Sequence, residues 1–331
     1  MKEIKITQKE ENQRLDKFLF KYFNKAPKSF VYKMLRKKRI KLNGAKAQGN
    51  EIISQGDMLS MYLAEDTMDS FMEVKTVHKA ERHFGIVYED ENILIVTKPA
   101  GLLTHPESAK DRDTLIDQIL FYLNEKGEYT PDKEAAFTPA VCNRLDRNTG
   151  GMVIAGKNLQ SVQAVNKAIA EKKIQKFYIT MVKGEMHENH EFFGFHIKDE
   201  KTNRVKVLKK ETPGASKIFT KVKPLEVKDG FSLLEVELIT GKSHQIRAHL
   251  KSMGYSVVGD RKYGDERVNK RIREKYGLNN QFLYACRLVF NEDEGYISYL
   301  KGKEFTSKLP DNLENIKRAY FGQETKSEGN K

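Results

Sequence analysis

The sequence has few residues that could form covalent cross-links, and no segment that could span a membrane. Two cysteines, Cys142 and Cys286, in 331 residues are too few for a disulfide framework and lack the CxxC spacing of metal and redox sites. No apolar run approaches the roughly 18 residues of a membrane-spanning helix, and the first residues lack the apolar segment of a signal peptide. We therefore predict a cytoplasmic protein in which both cysteines are small buried hydrophobic residues.

Several catalytic and nucleotide-binding signatures are also missing. The sequence contains no HExxH, GxGxxG or GxSxG pattern and no Cys/His set with metal-ligand spacing, so metal, dinucleotide and serine-hydrolase chemistry lack support. Gly241, Lys242 and Ser243 read as the end of a P-loop. That motif requires a glycine five residues earlier, where Val236 stands, so we reject ATP binding through it.

Composition and length describe a globular protein of about two domains. Hydrophobic residues make up 39% of the chain and charged residues 32%, a balance that supports a core and differs from that of a disordered chain. At roughly 150 residues per domain, 331 residues favour two.

The positive charge is concentrated near the N-terminus. The formal net charge is +13, and residues 14–48 contain twelve lysines or arginines and one acid, Asp16, which gives this segment +11. A run of charge is often only a solvated helix face, but a segment with nearly all of the net charge and an apolar pattern favours a phosphate-binding patch.

Local patterns divide the chain into two folded parts. Apolar residues of one helical face predict a helix over 14–23, a second helix follows Pro27 with Ser29 as its N-cap, and the Asn43-Gly44 pair predicts a hairpin. We assign 1–64 to this first domain and 65–83 to a linker without regular structure. The segment 84–320 forms the second domain, and 321–331 is expected to be a disordered tail.

The second domain is predicted to contain more strands than helices. Apolar runs at 177–182, 218–222, 233–239 and 282–290 read as strands that do not alternate strictly with helices. This pattern favours an α+β fold, with a small helical and β domain followed by a mixed, mainly antiparallel sheet with flanking helices, and argues against a doubly wound nucleotide fold.

The segment NRLDRNTGG, residues 143–151, is the first candidate for chemistry. Asp146 lies between Arg144 and Arg147 on a loop that enters an apolar strand, and the two cations favour the ionised carboxylate that a nucleophile or electrostatic stabiliser needs. An ordinary Arg–Asp pair on a surface turn explains these residues equally well.

Three further polar clusters interrupt the apolar pattern. TGKSHQIR, residues 240–247, opens a helix in which Ile246, His249, Leu250 and Met253 supply the buried face, while His244, Arg247 and Lys251 share the polar face. A structural role is the simpler interpretation of His244. KPAGLLTHP, residues 98–106, and GDRKYG, residues 259–264, are explained by turn chemistry as readily as by function.

Taken together and in this order, the clusters resemble motifs of the RluA family of RNA pseudouridine synthases. NRLDRNTGG is similar to HRLDxxTSG, TGKSHQIR to GRxHQIR, and GDRKYG to GDxxYG, while KPAGLLTHP and the strand KFYITMVKG resemble two further family segments. The N-terminal part resembles the alpha-L, ribosomal S4-like RNA-binding domain. The departures are Asn143 for histidine, Gly150 for serine and Lys242 for arginine, and Asn143 is a neighbour of Asp146 that could orient RNA.

The resemblance implies the site residues. Asp146 would be the catalytic aspartate, as nucleophile or as base at the sugar; Tyr178 would stack on the target base; Arg247 would hold Asp146 ionised, so that its loss reduces the rate and not the fold. The expected RNA-binding residues are Lys33, Arg36, Lys37, Lys38, Arg39 and Arg144.

The implied activity is isomerisation of specific uridines to pseudouridine in structured RNA, with large-subunit ribosomal RNA as the expected target. The reaction involves no net redox change, so no cofactor or metal is expected, and the protein is expected to be a monomer that binds RNA and no membrane. Transfer RNA as substrate and a catalytically silent RNA-binding or ribosome assembly factor are the alternatives.

Overall fold

A computed structural model describes residues 1–73, 76–108, 110–131, 136–199 and 202–322. Of the expected tail, 323–331 lies outside the described residues. Within the described ranges, no helix is long and apolar enough to cross a membrane.

The N-terminal unit contains two helices against small sheets. Its helices are α1 (Leu15–Tyr22) and α2 (Lys28–Arg36), and its strands are β1 (Lys2–Lys5), β2 (Gln13–Arg14), β3 (Ile40–Leu42), β4 (Ala45–Lys46), β5 (Ile52–Ile53) and β6 (Met58–Met61). One sheet has the order β1-β6-β3-β4, and β2 pairs with β5. Phe18 and Leu19 of α1 pack with Val31 and Leu35 of α2 in one buried cluster, and each such side chain contributes about 1.5–3 kcal/mol on burial.

The local predictions for this unit are largely confirmed. The helix expected over 14–23 is α1, and the Asn43-Gly44 hairpin joins β3 to β4 with φ of 50° and 79° at the two turn residues, as a type I′ turn requires. The predicted cap of α2 is wrong. The helix begins at Lys28, and Pro27 precedes it without a side-chain cap.

The segment expected to lack regular structure contains a short helix, α3 (Glu65–Phe71). Met68 is buried in the core of the N-terminal unit, and the Phe71 ring lies 4.4 Å from that of Phe30. The prediction of a segment without regular structure is wrong over these residues. Only two side chains of this short helix contact the core, so its sequence has little apolar periodicity.

The second part is built on one large mixed sheet. The main strands are β7 (Gly85–Glu89), β8 (Ile93–Lys98), β10 (Gly150–Gly156), β11 (Ile174–Lys183), β12 (His190–Asp199), β13 (Arg204–Leu208), β14 (Ser216–Lys228), β15 (Phe231–Leu238) and β17 (Leu283–Phe290), and the short strands are β9 (Ala140–Val141), β16 (Ser256–Val257) and β18 (Glu304–Thr306). The order along the sheet is β13-β12-β14-β15-β11-β17-β10-β8-β7. The β10–β17 pair is parallel and the other pairs of this path are antiparallel, which confirms the predicted fold class.

Helices cover both faces of this sheet. They are α4 (Leu115–Glu125), α5 (Leu159–Ala170), α6 (Gln245–Ser252), α7 (Glu266–Tyr276) and α8 (Asp311–Phe321), with a 3₁₀ helix at Ser298–Leu300. Along β8, Leu94 and Val96 join one apolar cluster while Ile93 and Ile95 join another on the opposite face. Because both faces are covered, the central strands are apolar at successive positions instead of alternating.

Sequence periodicity missed β12, β13, α7 and α8. Helix α7 has the sequence ERVNKRIREKY, in which Ile272 is the buried residue, so it carries almost no apolar stripe. At the start of α4, Thr114 is the N-cap residue and forms a capping box with Asp117.

Candidate active site

Asp146 lies on the loop between β9 and β10, and a second loop holds it in place. The buried Thr104 donates from Oγ1 to the carbonyl oxygen of Leu145 at 2.9 Å, and Gly101 donates its backbone N–H to the carbonyl oxygen of Arg147 at 2.8 Å. The KPAGLLTHP segment therefore supports the loop that carries Asp146, and its Gly101 supplies one of the hydrogen bonds.

The Lys98 side chain links the KPAGLLTHP segment to the loop that carries Asp146. This side chain is buried, and Nζ donates to the carbonyl oxygens of Pro99 at 3.0 Å, Leu102 at 2.7 Å and Arg147 at 3.0 Å. Burial lowers the pKa of Lys98 to about 7, although the charge of Asp146 opposes this change. Sequence reasoning did not single out Lys98, whose only signal is its place at the end of an apolar strand.

Asp146 is paired with Arg247, a residue about one hundred positions later in the chain. Arg247 Nη1 donates to Asp146 Oδ2 at 2.8 Å, and the Asp146 side chain is 27% exposed to the cleft. The flanking arginines are exposed, and Arg147 Nε instead donates to the carbonyl oxygen of Gly101 at 3.1 Å. The alternative of a surface turn with a local Arg–Asp pair is therefore wrong.

Arg247 is shared between two carboxylates. Its Nε and Nη2 donate to Asp260 Oδ2 and Oδ1 at 2.6 and 2.9 Å, and the Asp260 side chain is fully buried. Burial acts to raise the pKa of Asp260, but the hydrogen bonds and charge of Arg247 outweigh it, and the pKa is lowered. For Arg247 burial opposes the charge, and the two aspartates together raise the pKa. Such a bidentate pair fixes the guanidinium plane and aims it at Asp146.

The position of Arg247 corrects the predicted helix faces. It is buried at the start of α6 instead of lying on a solvated face, and Met253, expected in the core, is 47% exposed. The reason is that α6 is buried on all sides from Gln245 through Leu250, whereas its C-terminal residues and Met253 after them are exposed. Gln245, which sequence reasoning also missed, is buried and donates from Nε2 to the carbonyl oxygen of Phe219 at 3.1 Å.

Tyr178 lies on β11 beside the same cleft. Phe177 pairs with Arg287 and Tyr178 with Ala285, so Cys286 is the extra residue of a β-bulge in β17 beside Tyr178. The Tyr178 side chain is buried, and this burial, followed by the charge of Asp146, raises the pKa of its hydroxyl, so the phenol stays protonated.

Asn143 does not orient anything in the cleft, contrary to the expectation that it could face RNA. Its Oδ1 accepts from the backbone N–H of Ile154 at 2.8 Å, and its Nδ2 donates to the carbonyl oxygen of Met152 at 3.4 Å. The side chain thus substitutes for a paired strand beside β10.

Asp146, Tyr178 and Arg247 line one cleft of about 850 Å³. Its walls carry seven lysines or arginines and two acids, Asp146 and Glu107; the basic residues are Arg144, Arg147, Lys198, Lys242, Arg247, Arg261 and Lys262. The volume lies within the range of small-molecule sites, and the excess of cations suits an anionic ligand such as a nucleotide.

Of the residues predicted to bind RNA, the structure brings only Arg144 to the cleft. The other five are exposed on the N-terminal unit, at the end of α2 and in the turn that leads to β3, and they are Lys33, Arg36, Lys37, Lys38 and Arg39. The two groups of basic residues therefore form separate surfaces.

Comparison with known proteins assigns both parts. The sequence profile of the RNA pseudouridylate synthase family matches residues 92–252, which include Asp146, Tyr178 and Arg247, and the S4 domain profile matches residues 13–59. An uncharacterised RNA pseudouridine synthase of Mycoplasma pneumoniae is 30% identical over 284 residues, 85% of this chain and 85% of that protein. The chain belongs to the RNA pseudouridine synthase family.

Other relatives of this pseudouridine synthase agree. A Vibrio vulnificus protein named ribosomal large subunit pseudouridine synthase C is 27% identical, over 84% of each chain. The solved structure of human RNA pseudouridylate synthase domain containing 4 covers 71% of this chain and 92% of its own, with a TM-score of 0.54 and 19% identity. That structural likeness shows the same fold.

Proposed function

We propose that this pseudouridine synthase modifies uridines in large-subunit ribosomal RNA, with Asp146, Tyr178 and Arg247 as its reactive centre. The observation that carries the site assignment is the Asp146–Arg247 contact at 2.8 Å inside a basic cleft. The target RNA is suggested by relatives named as large-subunit enzymes in Vibrio vulnificus, Buchnera aphidicola and Haemophilus ducreyi.

The reaction breaks the bond between N1 of uracil and C1′ of ribose, rotates the base and joins C5 to C1′. C5 then loses its proton to solvent, and N1 takes up a proton. The first need is a carboxylate at the sugar, and Asp146, which accepts a hydrogen bond from Arg247 Nη1, meets it as nucleophile or as base.

Tyr178 fits the second need, a surface that holds the detached base. The ring lines the cleft with Leu238 and Leu283, and uracil stacks on aromatic rings with useful affinity. Because the raised pKa keeps the phenol protonated, we assign Tyr178 to stacking instead of removal of the C5 proton.

The target uridine must leave its stack to enter the cleft, which costs a few kcal/mol. We propose that the N-terminal domain, residues 1–64, contributes phosphate contacts through Lys33, Arg36, Lys37, Lys38 and Arg39, and that residues 84–320 carry out the chemistry. Arg144, at the cleft mouth beside Asp146, is placed to fill the space that the base vacates. We propose that the protein acts as a monomer.

The test is release of tritium from C5 of uridine in an unmodified large-subunit ribosomal RNA transcript. Asp146→Asn is expected to abolish release while filter binding of the same RNA stays near that of the parent protein. Asp229→Asn is the matched control, since Asp229 is an exposed carboxylate in a turn with φ of 50°, which asparagine accepts. Equal release by Asp146→Asn would remove Asp146 from the mechanism.

The alternatives have their own outcomes in this assay. Release from bulk unmodified transfer RNA, and not from the ribosomal transcript, would replace the proposed substrate. Binding without release from either RNA would favour an assembly factor.

A further inference from the structure

His244 lies on the cleft wall in a backbone conformation that histidine seldom adopts. It precedes α6 with φ of 54° and ψ of 17°, in the left-handed region, and it lines the cleft that contains Asp146. A residue other than glycine in this region is uncommon, and such strain is concentrated at functional sites. The structure thus favours a functional role over the structural one expected from sequence.

A chain of two hydrogen bonds fixes the His244 ring. The backbone N–H of Val205 donates to the hydroxyl of Tyr263 at 2.8 Å, and that hydroxyl lies 3.0 Å from His244 Nδ1. Since the Tyr263 oxygen already accepts from Val205, its own proton is free to bond to Nδ1. Nδ1 is then the acceptor, and the ring proton belongs on Nε2.

Tyr263 is itself held firmly by the reactive centre. Its backbone N–H donates to Asp260 Oδ1 at 3.0 Å, its ring lies 5.2 Å from the Arg247 guanidinium carbon, and the side chain is buried. Burial raises the pKa of the Tyr263 hydroxyl, so it remains a donor. One tyrosine therefore supports both Arg247 and His244.

We infer that neutral His244 donates a hydrogen bond from Nε2 to an oxygen atom of the nucleotide in the cleft, and that Tyr263 is the positioning residue that sets this tautomer. The inference rests on the proposed function of the cleft. Within the described part of the chain, Nδ1 is the ring nitrogen with a hydrogen-bond partner, so Nε2 is left for a bound molecule. The acceptor oxygen is either a uracil carbonyl or a phosphate oxygen.

The charge state agrees with this role. Burial lowers the pKa of His244, the charge of Asp146 opposes this, and Arg247 and Lys262 lower it further. The neutral ring has one N–H donor, whereas an imidazolium would have two and would also repel the Arg247 guanidinium.

The tautomer can be measured without any RNA. In protein labelled with ¹⁵N-histidine, long-range ¹H–¹⁵N correlations at pH 7 report which ring nitrogen is protonated, and loss of one of the eight histidine patterns in His244→Asn assigns the residue. We expect the Nε2–H form, with Tyr263→Phe adding the Nδ1–H form. An Nδ1–H ring or an imidazolium in the parent protein would overturn the inference.

Two substitutions separate the hydrogen bond from the backbone strain. Glycine and asparagine both accept the left-handed conformation, but only asparagine keeps an N–H donor. With the tritium-release assay, we expect His244→Gly to lower kcat/KM about 10- to 100-fold and His244→Asn to retain several-fold more activity than His244→Gly. Activity of His244→Gly equal to that of the parent protein would overturn the inference, because the backbone conformation alone would then suffice.

The kinetic parameters distinguish the two oxygens. A loss in kcat assigns the contact to uracil, whose surroundings change during the reaction, whereas a loss confined to KM assigns it to a phosphate that is bound equally throughout. If the parent protein releases no tritium from any RNA, the proposed function fails, while the tautomer measurement still decides how Tyr263 sets His244.

Discussion

Removing Arg247 should destabilise the protein as well as inactivate it, contrary to the sequence-based expectation of a loss of rate alone. Among the residues that the structure describes, Arg247→Met leaves the fully buried Asp260 carboxylate with only the backbone N–H groups of Lys262 and Tyr263, at 2.8 and 3.0 Å, as hydrogen-bond donors. Breaking a buried ion pair from one side costs about 3–5 kcal/mol. At about 2–4 °C per kcal/mol for a domain of this size, Tm should fall by roughly 6–20 °C.

A second substitution tests the reason. Both backbone N–H groups donate to Asp260 Oδ1, an oxygen that Asp260→Asn keeps while it removes the charge. The double variant Arg247→Met/Asp260→Asn should therefore recover more than half of the lost stability, because replacing a buried ion pair by neutral groups is often close to neutral.

The second substitution should restore stability without restoring activity. Both variants leave Asp146 without its partner, and tritium release measured well below the melting temperature should fall by about 10²- to 10⁴-fold in each, by analogy with the loss of an orienting group in other catalytic sets. The reasoning is refuted if Arg247→Met melts within about 2 °C of the parent protein, or if the double variant recovers none of the lost stability.

Four further perturbations have defined outcomes. Lys98→Met removes a buried ammonium group that donates to three backbone carbonyls, so thermal denaturation should show a loss of about 3–5 kcal/mol, and an unchanged melting curve would contradict a cross-linking role. Gly151→Ala should be more disruptive than Gly101→Ala, since both glycines have positive φ but only at Gly151 would a Cβ overlap the Ala285 backbone; equal melting temperatures would exclude that steric argument. Replacing Arg36, Lys37 and Lys38 by alanine should flatten the salt dependence of RNA binding by up to about 0.7–0.9 log units per lost phosphate contact, and an unchanged slope would identify the patch as a solvated face. Folding lowers the pKa of Asp260 from 3.8, so the stability that its ionised carboxylate contributes is complete above pH 3.8 and is lost as the pH falls through the folded value. In urea denaturation, the stability of Asp260→Asn should depend less on pH in that acid range than that of the parent protein. A parallel dependence would mean that other groups control acid unfolding.

Local structure in the N-terminal domain could be predicted from the sequence because neighbouring residues decide it. The apolar face of α1 and the Asn43-Gly44 turn depend on periodicity and on positive φ, both of which are visible in a few residues. The helix at Glu65–Phe71 was missed because its contacts with the core, such as that of Phe71 with Phe30, come from residues distant in the chain.

The candidate site also combines residues that the sequence indicated with contacts that only the tertiary structure shows. The resemblance of its motifs to those of a known family singled out Asp146, Tyr178 and Arg247, and the structure lines one cleft with all three. The pattern of α6 alone placed Arg247 on a solvated face, because helix periodicity carries no information about a carboxylate on another segment.

What the sequence determined by itself is many of the local elements, the concentration of positive charge, and the positions of Asp146, Tyr178 and Arg247 within motifs that resemble those of a known family. Only the tertiary structure decided that Asp260 holds Arg247, that Lys98 joins two loops, that Asn143 pairs with a strand and that Tyr263 sets the His244 ring. Each of these contacts joins segments separated along the chain, and its energy depends on burial, which exists only once the sheet and its helices have assembled.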